Sequence, residues 1–355
     1  PANVVKRILR HSDPETRKSI NEILKYPDDS TGSIMTTEFV DLKATMTVED
    51  ALKRIRRTGP DKETINICYV IDDQRHLLGL LSIRTLLLAE DDDIIDDIME
   101  HHIISVHTLD DQESTARVLG KYDFLALPVV DTENRLVGIV TVDDAMDVLQ
   151  EEVTEDIELM AAILPGDKPY LKTGVLETWK ARTPWLLVLM LSATFTGIIL
   201  THFENALAAC AILTSFIPML SGTGGNSGTQ ASTAVIRALS LGELRFSDLP
   251  RVIWKEFQVS ITCGLCLAAA NFVKMMVVDR WLMHNPAVTP LVALVVCTTL
   301  VGTVMCAKLV GCSLPLLAKK LHFDPAVMAS PFISTIVDSL SLLIYFRFAS
   351  LFLGL

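Results

Sequence analysis

Carboxylates are scarce where the chain is most apolar. Residues 165–355 hold 9 Asp and Glu and 14 Lys and Arg, against 34 and 17 in residues 1–164. Nets of +5 and −17 make up the total of −12 and exclude one globular core, so a domain boundary is expected near Pro165. Cysteine is nearly missing from the acidic half. Only Cys68 lies there, and the other six of the seven sit in apolar runs, which excludes a disulfide framework. Cys263-Gly-Leu-Cys266 has redox spacing but lies inside such a run. There is no His-Glu-x-x-His, no Gly-x-Ser-x-Gly and no phosphate loop, which argues against an enzyme. With bases outnumbered two to one, the acidic half is unsuited to nucleic acid and suits divalent cations or plain solvation. No secretory leader opens the chain. Its first residue is Pro, and residues 1–30 read as the remnant of an N-terminal helical domain, with a short hairpin over 1–27.

The rarest feature of the apolar half is Asp338, near the middle of the run Pro325–Leu353. That run is long enough to span a bilayer, for which about 20 residues suffice. A charge there must face protein, water or an ion. Ser334, Thr335, Ser339 and Ser341 around it suit close packing and a wet inner face. Two readings stay open: an acid tied to a neighbouring helix, and a ligand on an ion path.

Four further spans are expected, over roughly 184–201, 206–237, 254–278 and 289–317. Bases cluster before the first (Lys168, Lys172, Lys180, Arg182), after the second (Arg237, Arg245, Arg251, Lys255) and after the fourth (Lys319, Lys320). This places the acidic half in the cytoplasm and the C-terminus outside, in a multi-pass protein of the cell (inner) membrane. The second span carries Pro218 and then Ser221-Gly222-Thr223-Gly224-Gly225-Asn226-Ser227-Gly228-Thr229-Gln230. The glycines would let the backbone leave the helix there and turn carbonyls such as that of Gly222 inward, and Asn226 and Gln230 add amide oxygens, which are hard ligands. The competing reading is a Gly-rich packing seam.

The acidic half contains a repeat. Ile34-Met35, a helix from Thr47, a strand 67–71, an Asp72-Asp73 turn and Leu77 to Ser82 recur as Ile98-Met99, a helix from Asp110, a strand 125–130, a turn from Asp131 and Leu136 to Thr141. Acids cluster at Glu90 to Asp93, Asp96-Asp97, Asp143-Asp144-Asp147 and Glu151-Glu152-Glu155-Asp156-Glu158. Each alone is a solvated face, but together they repel, and a divalent cation bridging them would relieve the repulsion. Residues 147–179 read as a long amphipathic helix broken at Pro165-Gly166, joining the repeat to the membrane.

The repeat resembles a pair of CBS domains, β-α-β-β-α modules that often hold an adenine nucleotide such as ATP. That resemblance implies a ribose-holding pair at Thr141 and Asp144, whereas the first copy has Ser82 and Thr85. With the Gly-Gly-Asn-Ser-Gly-Thr-Gln segment and Asp324-Pro325-Ala326, Pro331, Thr335, Asp338 and Tyr345, almost the whole chain resembles the MgtE-type magnesium channels. The resemblance implies a multi-domain fold, α/β plus all-α membrane: modules at 31–94 and 95–150, a plug-like connecting helix at 151–183 and a five-helix transmembrane domain at 184–355. It also implies a homodimer in the lipid bilayer whose axis carries Mg²⁺ past Asp338, with Asp324, Gly222 and Asn226 along the path. Mg²⁺ among Asp143, Asp147, Glu151, Glu152, Glu155 and Asp156 would hold the pore shut, and its loss would let the modules swing apart. The alternatives are a carrier for Mn²⁺, Co²⁺ or Ca²⁺, and a nucleotide-sensing membrane regulator.

Overall fold

The computed structural model describes residues 24–166, 168–328 and 330–354. The hairpin expected over 1–27 falls outside these apart from 24–27, which form turns and bends. The chain divides into two compact units, Pro1–Val153 and Thr154–Leu355.

The first unit is two copies of one motif. Helix α1 (Thr31–Ile34) leads into β1 (Val40–Leu42), α2 (Val48–Thr58), β2 (Ile67–Ile71), β3 (Leu77–Ser82) and α3 (Ile83–Leu88). The second copy has α4 (Ile95–Ile98), β4 (Val106–His107), α5 (Gln112–Tyr122), β5 (Ala126–Val130), β6 (Leu136–Thr141) and the start of α6 (Val142–Met160). Each three-stranded sheet pairs its first two strands parallel and its last two antiparallel, with a register shift at the same place, Val70/Ile71 and Val129/Val130. Helix α2 starts where the Thr47 hydroxyl accepts from the Asp50 N–H, with acids in its first turn and Arg56 and Arg57 in its last. Asp111 caps α5 in the same way.

The repeated turns have a common cause. Asp72 Oδ1 accepts from the N–H groups of Gln74 and His76 while its Oδ2 meets His76 Nδ1 at 2.9 Å. Asp131 accepts from the N–H groups of Glu133 and Arg135 and from Arg135 Nε. Both loops reverse through one left-handed residue, Arg75 (φ 71°) and Asn134 (φ 59°). The Asp131 carboxyl feels burial pushing it up, but the Arg135 N–H and guanidinium outweigh that and hold it below its ordinary value. Cys68 is buried in β2, and burial pushes its thiol up to about 12, so it is inert.

The repeated Ile-Met pairs do not serve the copy they open. Thr36 exchanges two backbone hydrogen bonds (2.8 and 2.9 Å) with Ile139 on β6 of the second copy, and Glu100 does the same (2.8 and 3.1 Å) with Leu80 on β3 of the first. Met35 joins the core of the second module and Met99 that of the first. A Cβ at Gly138 would lie 2.7 Å from Met35 Sδ and from the Thr36 carbonyl, and one at Gly79 would collide with Met99 Sδ. Glycine and methionine are therefore two halves of one crossed contact.

In the second unit α7 (Val175–His202), α8 (Glu204–Ala209), α9 (Ile217–Ser240), α10 (Leu249–Lys274), α11 (Pro290–Lys320) and α12 (Ser330–Leu353) follow in order, α10 continuing as a π-helix over Met275–Leu282. Among the described residues four stretches are long and apolar enough to cross a membrane: Val175–His202, Phe246–Leu282, Pro290–Lys320 and Pro325–Leu353. Helix α9 has 24 residues, about 36 Å at 1.5 Å per residue, but its Gly, Ser and Thr keep its hydropathy too low for that group. The helix expected over 147–179 is broken around Pro165-Gly166 as expected, but over a longer stretch. Helix α6 stops at Met160, a loop with one 3₁₀ turn follows, and Val175 already begins the first long apolar helix.

Helix α9 also corrects the expectation that its glycines release the backbone, for it runs unbroken through all of them. Gly224, Gly225 and Gly228 face α11 and α12. A Cβ on Gly224 would come within 2.7 Å of Thr303 and 2.8 Å of Val337. On Gly228 it would come within 2.7 Å of Ile333, and on Gly311 it would collide with the Gly228 carbonyl. The segment is a packing seam that lets helices touch backbone to backbone.

Candidate functional site

Asp338 lies half-buried on α12, with the Ser221 hydroxyl of α9 as its polar neighbour. Of the four hydroxyls nearby two are engaged along their own helix, while Ser341 Oγ is buried without a hydrogen-bond partner. Thr335 donates to the Pro331 carbonyl at 3.0 Å, Ser339 donates to that of Thr335 at 3.3 Å, and Ser334 packs against Gly225. Tyr345, buried further along α12, donates to the Leu213 carbonyl at 3.0 Å and anchors the helix. While Gly224, Gly225 and Gly228 turn into the seam, Gly222, Asn226 and Gln230 recur at four-residue spacing on an exposed stripe of α9. Nothing lies within 4 Å of a Cβ added at Gly222. Asp338, Ser221 and this stripe are what the second unit offers a cation: one carboxylate, a hydroxyl and amide oxygens, a hard donor set. Asp324 is exposed and already employed, since its Oδ1 accepts from the Ala326 N–H at 2.7 Å and caps the turn Pro325–Met328.

The acids of α6 are spread along the helix rather than gathered. Asp143, Asp147 and Glu151 are exposed at four-residue intervals, about 6 Å of helix rise apart. Glu152 accepts from the Gln112 amide at 3.2 Å, and that amide also reaches Asp29 at 3.4 Å. In the second unit Asp156 accepts from the Ser240 hydroxyl at 3.0 Å, and Glu155 is exposed. Among the described residues no group of three or more His, Cys, Asp or Glu converges as a metal site. Thr141, buried at the end of β6 just before α6, donates to Asp144 at 2.6 Å. The equivalent Ser82 and Thr85 share a 2.9 Å hydroxyl contact, the same geometry without the carboxylate.

Sequence reasoning missed three participants: Ser221 as the polar neighbour of Asp338, Gln112 as the bridge between two acids, and an ion pair between Glu256 on α10 and Lys308 on α11, 3.8 Å apart with side chains 14 % and 6 % exposed. Lys308 in the middle of an apolar helix was a legible signal. Asp338 is thus not the only acid inside the apolar helices.

Residues 217–348 match the family described as MgtE, divalent cation transporter, and residues 32–92 and 95–151 each match the CBS domain. The chain is 42 % identical over 341 residues to a magnesium transporter MgtE of Thermus thermophilus, covering 96 % of this chain and 74 % of the relative. It is 37 % identical over 345 residues to that of Bacillus subtilis, covering 97 % and 74 %. A crystal structure of the cytosolic domain of the Mg²⁺ channel MgtE in complex with ATP aligns at 45 % identity over 40 % of this chain and 58 % of that one, with a TM-score of 0.40. An α/β repeat, a set of long apolar helices and identity along almost the full length agree: the chain belongs to the MgtE family of magnesium transporters, with a CBS-domain pair and Mg²⁺ as its cargo.

Proposed function

We propose that the chain is one half of a homodimeric Mg²⁺ channel whose path is lined by Asp338 with Ser221, Gly222 and Asn226, and whose opening is governed from the cytoplasm. The observation that carries this reading is the half-buried Asp338, a carboxylate on an apolar helix beside the polar stripe of α9. Mg²⁺ holds its water tightly and takes octahedral oxygen at about 2.0–2.1 Å, so one acid per chain with hydroxyl and amide oxygens suits a largely hydrated ion. The C-terminus lies outside and the CBS pair inside. Asp324 acts on regulation more than on permeation.

Closure is assigned to Mg²⁺ bound by the carboxylates of α6, Asp143, Asp147, Glu151, Glu152, Glu155 and Asp156. Because no three acids converge in one chain's described residues, such an ion keeps much of its water or shares a second set of ligands. An adenine nucleotide, if taken up, uses the second module through Thr141 and Asp144, where the first module has no carboxylate.

The test is Asp338→Asn in purified protein reconstituted into liposomes. Removing the charge while keeping the shape is expected to cut Mg²⁺ flux severely, and Asp338→Glu to retain some of it with altered selectivity. A normally folded Asp338→Asn protein carrying Mg²⁺ at the parent rate sinks the pore assignment. It would leave Asp338 as a structural acid beside Ser221.

A further inference from the structure

Two ionisable side chains that the path above does not use sit inside the apolar helices. Lys308 is 5 % exposed, twelve residues from the end of α11, and Glu256 faces it from α10. Their 3.8 Å separation is too long for a hydrogen bond, and Glu256 Oε2 is buried without a hydrogen-bond partner. Taking both charges out of water costs about as much as their attraction returns, so stability is a poor reason for the pair to be there.

Their neighbours offer a better one. Ala307, next to Lys308, has its carbonyl 3.2 Å from where a Cβ on Gly228 would stand, and Gly311, three residues on, has the Gly228 carbonyl where its own Cβ would be. The α11 residues flanking Lys308 therefore make the backbone contact with α9. Two residues before Gly228, α9 presents Asn226, and a turn further back Gly222 and Ser221. Cys312, one turn past Lys308, is buried with Leu316 against Ala231 and Val235 of α9.

We infer that the Glu256–Lys308 pair is a positioning element for transport: opposed charges on α10 and α11 fix the rotation of α11 that seats Ala307 and Gly311 on Gly228, and so set the α9 stripe. The inference rests on that stripe lining the path. Apolar side chains often fill the same space with equal or greater stability, whereas opposed charges lose their attraction when α11 turns one away from the other.

The experiment separates fixing from filling, with Mg²⁺ flux in liposomes per folded full-length protein measured beside the melting temperature. Lys308→Met leaves Glu256 unpaired and is expected to lower flux at least about tenfold. The reversed pair, Glu256→Lys with Lys308→Glu, is expected to return most of it. The decisive variant is Glu256→Met with Lys308→Met, expected to melt near the parent temperature while its flux stays at least about tenfold down. Parent flux in that double variant overturns the inference, because the pair would then only fill space. A reversed pair no better than Lys308→Met overturns it too, and these two variants decide the matter if Lys308→Met does not fold. Asp338→Asn run alongside keeps the readings apart: parent flux there refutes the path through Asp338, and the pair is still judged by its own variants.

Discussion

Gly311→Ala tests the seam at its tightest point. The new Cβ would stand 3.0 Å from the Gly228 carbonyl carbon, 3.1 Å from its Cα and closer still to its oxygen. Carbon atoms rest at about 3.5–4.0 Å, so α9 and α11 must part by roughly an ångström. Backbone lies on both sides, and no side chain can swing away to absorb the change. Overpacking of this kind costs about 1–3 kcal/mol, which for a unit of this size lowers the melting temperature by about 2–12 °C. Flux should fall with it, because the shift is delivered to the helix carrying Ser221 and Asn226. Gly197→Ala on α7, where nothing lies within 4 Å of the added Cβ, is the matched control and should move stability by less than about 1 kcal/mol. Thermal unfolding in detergent and Mg²⁺ uptake into liposomes read the two effects. A Gly311→Ala protein that melts and transports like the parent refutes the backbone contact as the determinant of α9.

Three further outcomes are expected. Gly138→Ala should destabilise the CBS pair more than Gly79→Ala, because a backbone carbonyl stands at 2.7 Å in the first case and 3.2 Å in the second, beside a flexible Met in each; limited proteolysis of the full chain ranks them. The Asp72 carboxyl is held below its ordinary value, first by the His76 side chain and then by the N–H groups of His76 and Gln74. A depressed acid stabilises the fold above its unfolded pKa of about 3.9, and that contribution is lost as pH falls through the lower folded value. Asp72→Asn should therefore flatten the acid limb of the melting curve, and an unchanged limb would discount the turn. Finally, Mg²⁺ should protect the full chain from protease, and neutralising Asp147, Glu151, Glu152 and Glu155 together should abolish the protection and raise transport at high internal Mg²⁺. Equal digestion of parent and variant in Mg²⁺ would count against gating by these acids.

What could be read without coordinates was what local chemistry dictates. Strands β2, β3 and β6 fall on the residues expected, because short apolar runs beside Asp-led turns have one good solution. The glycines of α9 were legible as special but not as what they are. A glycine that breaks a helix and one that admits a neighbouring helix look alike until the neighbour, here Gly311 and Thr303, is known. Glu256 and Lys308 lie 52 positions apart, and only the packing of α10 on α11 reveals them as a pair. The proximity of Ser221 to Asp338 is of the same kind, visible as two polar residues and invisible as neighbours.

The crossing of Met35 and Met99 bears on how the CBS pair can move. Duplicated modules joined end to end could bend at the joint, but here each lends its opening residues to its twin. Thr36 is stitched to Ile139 and Glu100 to Leu80 by backbone hydrogen bonds. Loss of either copy would leave the survivor with an open groove beside Gly79 or Gly138 and a bare sheet edge. A push on one copy reaches the other as through a single lever, and any travel needed to work a gate must come from pivots outside the pair.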